Sequence, residues 1–400
     1  MISINKKKAT LMVTGMLLLL ADIVYCSGTE WIWASGYKMT FPNESNANML
    51  IWLACVLICI WVFSWSPKYI YFNRSVQIIV IITVLVSLIW MLITLTGSNT
   101  IFTIFVRQYS PFMLMFVATL VLGIDKTIFD LAVLISKYIM ILALGLTVYH
   151  ELSFLVQYGL TMRSQSSAIH VYYWEGIMSW LFYVFNTAPK KDVAIIRIGT
   201  IIFLVASLLT ASRSNILIAF LCILLYFKRS YEHRHLKLGA YIKIAMTAIV
   251  GIMLFSYFVP DMFLSLLNRL FLDSRSGQYE AFFQQVSLGK LFIGQGAGAT
   301  YSFSRFDNFA YVDNANLVMA FRYGMIPTIG MLLLQVMALA KSFVRKESRS
   351  WQIVFVWLLV TNGFSVYLNY KITWGYFILW ITVGHILSNR KICGRNNIYE

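Results

Sequence analysis

The chain has 400 residues, 60% of them hydrophobic and only 12% charged, with a mean hydropathy of +0.74. Soluble domains carry about 25% charged residues, so this composition excludes a soluble globule, and no polar stretch is long enough to be a soluble domain beside the apolar ones. The net charge of +16 falls in short basic clusters between apolar runs rather than on one face, which is the distribution of membrane topology and not of a nucleic-acid partner.

Taken in order, Lys6, Lys7 and Lys8 precede an apolar run from Ala9 to Cys26. It lacks a small-x-small cleavage site and is long enough to span, so it is expected to be an uncleaved first span with a cytoplasmic N-terminus. Further spans are expected near 49–65, 76–96, 101–122, 130–149, 173–188, 193–210, 216–227, 244–259, 316–340, 351–368 and 374–388. Lys68 and Arg74, Lys126, Lys190 and Lys191, the Lys228–Lys237 segment, Lys341 to Arg349, and Lys391 with Arg395 then mark the inner side. About 20 of the 32 Lys and Arg lie there, which favours about twelve spans with both termini cytoplasmic, in one membrane domain over 1–400. Lys137, Arg197 and Arg322 fall within spans. The five cysteines form no disulfide framework or metal spacing.

The longest stretch that is neither span nor solvated charge is 260–315, on the outer face, and it is read as the active-site loop. Met262, Phe263, Leu266, Leu267 and Leu270 recur at helical spacing, as an amphipathic helix on the membrane surface would require. Tyr279, Phe282, Phe283 and Val286 set a second helix. Gly294-Gln295-Gly296-Ala297-Gly298 lacks the strand before it and the Lys-Ser/Thr after it that a phosphate loop needs, so these glycines are expected to permit a sharp turn and close backbone approach to a polar ligand. Arg305, Asp307, Asp313 and Asn314 close the loop, with Arg322 just inside the next span and Arg213 in a five-residue outer hairpin. Arginines meeting carboxylates at one membrane interface require pairing or a water-filled cavity.

From Leu209-Thr210-Ala211-Ser212-Arg213-Ser214-Asn215 through Ser274-Arg275-Ser276-Gly277-Gln278-Tyr279, Leu291-Phe292-Ile293-Gly294 and Asp313-Asn314-Ala315-Asn316-Leu317 to Tyr323-Gly324-Met325-Ile326, the chain resembles the O-antigen polymerase and ligase superfamily in order and spacing. The resemblance covers roughly 195–340. It implies a GT-C-like, all-α glycosyltransferase of the bacterial inner membrane, acting on undecaprenyl-diphosphate-linked glycans, with a chain-length regulator as a further partner. The ligase branch has His-Asn where this chain has Asp313-Asn314, and no His lies in the loop. That points to a polymerase, with ligase and lipid-linked oligosaccharide flippase as the rival readings.

Such a reaction needs a group to take the acceptor proton and groups to hold the departing diphosphate. Asp313 is the candidate base, with Glu280 and Asp307 as rivals. Arg213 and Arg275, with Arg305 or Arg322, are candidates for the diphosphate in place of a metal, and no cofactor is expected. Tyr279, Glu280, Gly296, Gly298, Asn314 and Arg163 complete the candidate substrate-binding set. Trp31, Trp33, Tyr172, Tyr173 and Trp174 are read either as sugar-stacking faces or as an interfacial aromatic belt.

Overall fold

A computed structural model describes residues 4–28, 30–32, 38–40, 44–64, 72–95, 109–159, 167–187, 192–210, 213–230, 274–296, 299–303, 306–309, 312–344, 351–361 and 372–388, with isolated positions between 253 and 264. The expected span at 244–259 and the amphipathic helix at 262–270 therefore lie largely outside the described residues.

Among the described residues the chain is a bundle of helices. They are α1 (Ile4–Cys26), α2 (Glu44–Ser64), α3 (Arg74–Leu95), α4 (Tyr109–Leu122), α5 (Lys126–Tyr158), α6 (Ser167–Asn186), α7 (Val193–Leu209) and α8 (Arg213–Ser230), followed by α9 (Ser274–Gln285), α10 (Leu288–Ile293), α11 (Ala315–Tyr323), α12 (Met325–Val344), α13 (Trp351–Thr361) and α14 (Trp374–Leu387). Two small antiparallel hairpins, β1 (Glu30–Ile32) with β2 (Lys38–Thr40) and β3 (Tyr301–Phe303) with β4 (Phe306–Phe309), interrupt an otherwise helical chain.

Among the described residues four stretches are long and apolar enough to cross a membrane: Asn5–Cys26, Asn46–Ser64, Lys126–Gln157 and Met325–Val344. Shorter apolar helices pack among them. Their surface is inverted relative to a soluble protein, since α3 alone turns Ile78, Ile81, Ile82, Leu85, Leu88 and Ile89 outward. Apolar exposure on that scale is tolerated where lipid covers it. The chain is a predominantly helical membrane protein.

The centre of the bundle is α14, buried along its whole length, as a helix apolar on every side must be. Lipid supplies no hydrophobic drive between helices, so close backbone approach does the work. A Cβ added at Gly384 would strike the Leu120 carbonyl, and one at Gly123 the Ile381 carbonyl, which brings α4 against α14. His385 seals that contact, its Nδ1 lying 3.2 Å from the Gly123 carbonyl and its ring stacked on Phe129 at 3.9 Å.

Polar contacts gather several helix termini at one end. Asp125 caps α5 by accepting from the Thr127 N–H at 2.8 Å and also takes Lys7 Nζ at 2.6 Å. Lys341 Nζ donates to the Leu387 carbonyl at 2.6 Å, and Phe72, just before α3, bridges Ser388. Lys137, charged within the bundle, is neutralised by Asp192 at 2.9 Å, and the Tyr183 hydroxyl donates to the same carboxylate. Pairing of this kind is what makes an intramembrane charge tolerable.

Two boundaries differ from the sequence reading. The fifth span, expected to end near 149, continues as one helix of 33 residues; at 1.5 Å per residue that is about 50 Å, well beyond a hydrocarbon core of about 30 Å. His150 and Glu151 therefore belong to a helix rather than an irregular loop. The tenth span, expected to run unbroken from 316, is divided at Gly324, whose φ of 90° ends α11 before α12 begins.

Candidate active site

The segment from α9 to α11 folds around its own apolar core. Phe282, Val286, Leu291, Tyr301, Val312, Val318 and Phe321 are buried together, apart from the core of the bundle. Phe282 meets Tyr301 edge-on at 5.2 Å and Phe321 at 5.1 Å, an arrangement that adds about 0.5–1.5 kcal/mol per pair beyond burial. Of the expected stripe, Tyr279, Phe282 and Val286 face inward, whereas Phe283 is 51% exposed. Alternation of Tyr301, Ser302 and Phe303 places both rings on one side of β3. The Gln285 carboxamide then pairs with both backbone groups of Ser302, at 2.8 Å each, as a neighbouring strand would.

Asp313 sits at the start of α11, held from both sides by α9. Its backbone N–H donates to Gln278 Oε1 at 3.0 Å, and its carbonyl accepts from the Tyr279 hydroxyl at 3.3 Å. Asn314 is the N-cap of α11, its Oδ1 accepting from the Leu317 N–H at 3.0 Å. That cap gives the Asp-Asn pair a structural logic: Asn314 starts the helix, and the half-buried Asp313 stands just ahead of it. Gln278, 5% exposed, was missed by the sequence reading. Its signal was a polar residue four positions ahead of Phe282, on the inward face of α9.

The glycine segment approaches backbone closely, and what it meets is its own chain. A Cβ on Gly294 would lie 2.6 Å from the Gly324 nitrogen, and one on Gly324 2.8 Å from the Ile293 carbonyl oxygen. Both residues have φ near 90°, so side chains there would be strained as well as crowded. The Gln295 N–H donates to the Phe321 carbonyl at 2.7 Å and the Gly296 N–H to the Arg322 carbonyl at 3.0 Å. These donors satisfy carbonyls at the end of α11 that no helical partner reaches. Gly298 lies outside the described residues.

Arg322 is 2% exposed, in the last turn of α11, where a cation is favoured by the helix dipole. It precedes the break at Gly324 rather than lying just inside an unbroken span. α11 joins two cores: Val318 and Phe321 enter that of the loop, and Met319 and Tyr323 that of the bundle. Tyr323 stacks on Phe112 at 5.8 Å, and Phe112 packs on Tyr376 at 4.7 Å.

Arg213 begins α8, and described residues on either side of it are tied to α6. The buried Tyr173 hydroxyl lies 2.9 Å from Ser207 Oγ and donates to the Asn215 carbonyl at 3.0 Å, while Asn215 Nδ2 donates to Thr210 Oγ1 at 3.4 Å. Tyr172, Tyr173 and Trp174 are all buried, which removes them from any sugar-stacking surface; Tyr172 stacks instead on His150 at 5.3 Å. Desolvation pulls the His170 imidazole, in the first turn of α6, down to about 4, so it is neutral at pH 7.

Arg275 lies in the first turn of α9, Asp307 in β4 and Trp31 in β1, their side chains beyond the described set. Arg163, Arg305 and Trp33 lie outside the described residues. Glu280 is exposed on α9 and accepts from Gln284 at 3.4 Å. Among the described residues no group of three or more His, Cys, Asp or Glu is placed to hold a metal ion. Glu175, also missed, is 2% exposed within α6 and accepts the Gly375 N–H at 3.3 Å on each oxygen, a carboxylate set at the positive end of α14.

These features define a helical membrane protein carrying a separately packed unit at one end of α12. No protein-family model matches the chain, and no curated protein matches it.

Proposed function

We propose that the chain is a glycosyltransferase of the bacterial inner membrane that polymerises undecaprenyl-diphosphate-linked oligosaccharide repeat units on the periplasmic face. In this reading it has about twelve spans with both termini cytoplasmic, and 260–315 is the periplasmic loop. The observation that carries the reading is the ordered motif set from Arg213 to Gly324, ending in Asp313-Asn314 rather than His-Asn. What supports its use as a site is that Asp313 is fixed through its backbone by Gln278 and Tyr279, which positions the residue at the start of α11.

The chemistry follows from those groups. An acceptor sugar hydroxyl attacks the anomeric carbon of the donor, and the bond from that carbon to the diphosphate oxygen breaks. The electron pair leaves with the diphosphate, and the hydroxyl proton passes to Asp313. Arg213 and Arg275, with Arg305 or Arg322, hold the charge that gathers on the phosphate oxygens, which a guanidinium does by bidentate contact. A chain-length regulator is a further partner in this reading.

Deleting the gene tests the assignment. The expected result is surface glycolipid capped with a single repeat unit, because a separate ligase still acts. Glycolipid with no repeat unit, together with accumulated lipid-linked polymer, would identify a ligase instead.

A further inference from the structure

The short helix α10 is built inside out. Leu291 packs into the loop core at 4% exposure, while Leu288, Phe292 and Ile293 are 76%, 56% and 59% exposed. Three large apolar side chains on six residues, with the exposed Lys290 between them, would each forgo about 25 cal/mol for every Å² left in water. The helix is also held firmly: Ser287 caps it, and the Gly294 N–H closes its far end on the Lys290 carbonyl at 2.8 Å.

Its position says what covers it. The Gly294–Gly324 crossing pins the end of α10 to the residue just before α12, a helix long and apolar enough to cross a membrane. Along α12, Ile329, Leu333 and Val336 are exposed at helical spacing, so its outward apolar stripe begins within about two helical turns of that crossing. We infer that α10 is a membrane-docking element, with Leu288, Phe292 and Ile293 seated in the headgroup–acyl boundary of the bilayer and Lys290 reaching lipid phosphate. Apolar side chains flanked by a snorkelling lysine are what interfacial binding requires. The consequence is a fixed height: through Gly294 and α11 the same bilayer contact sets where Asp313 stands above the membrane. This holds whichever reaction the chain catalyses.

Photocrosslinking of the full chain in its native membrane tests it. Benzoyl-phenylalanine is placed at Phe292 and, separately, at Leu288, both exposed enough to accept it. A control places it at Gln284, on the polar face of α9. After irradiation and denaturing purification, intact mass should show phospholipid adducts at 292 and 288 and their loss at 284. Crosslinks at 292 and 288 to another protein or to a second copy of the chain, without lipid adducts, would overturn the inference, as would equal lipid labelling at all three positions.

Discussion

Asp313→Asn should leave the protein at normal membrane levels and reduce polymer to near nothing. Loss of a general base costs about 10² to 10⁴ in rate. α9 holds this residue by its backbone N–H and carbonyl, which Asn keeps, and Asn314 rather than Asp313 caps α11. Charge is removed with little change of shape. Glu280→Gln and Asp307→Asn, at matched expression, are the comparisons; Glu280 is exposed with Gln284 as its neighbour on the helix, and its loss should leave the chain-length ladder intact. A full-length ladder from Asp313→Asn would sink the assignment of the base.

Arg213→Lys should cost on the order of 10² in polymer-forming rate, as removal of one well-placed donor to developing charge does. Lysine keeps the charge and loses the planar fork. Tyr173 gives this prediction a second arm. Its hydroxyl ties Ser207 in α7 and the Asn215 carbonyl in α8, so Tyr173→Phe should loosen the start of α8, where Arg213 lies, and weaken donor binding. The two defects should not add in the double variant, since both act through one guanidinium. Full activity in Arg213→Lys would mean that Arg213 only snorkels to lipid phosphate.

The helices were legible in the sequence because apolar runs of spanning length leave little choice, and the inward stripe of α9 because Tyr279, Phe282 and Val286 keep helical period. What was hidden has physical reasons. The α11–α12 break depends on two glycines distant in sequence, Gly294 and Gly324, meeting backbone to backbone, and neither announces its partner. The hairpin of Tyr301 to Phe309 is too short for its alternation to stand out beside the helices. Tyr173 read as a surface aromatic, yet its ring is buried and its hydroxyl does the work. Glu175, a carboxylate in an apolar run, makes sense only beside the first turn of α14, which is 200 residues away along the chain.

The central claim is most directly tested with the purified full chain in liposomes, supplied with undecaprenyl-diphosphate-linked repeat units in the presence of a chelator. Gel or mass analysis of the lipid fraction should show a ladder of lipid-linked oligomers growing by one repeat unit per step, absent with Asp313→Asn. Repeat units left unjoined by the wild-type chain, or passed only to an added lipid A–core acceptor, would contradict it.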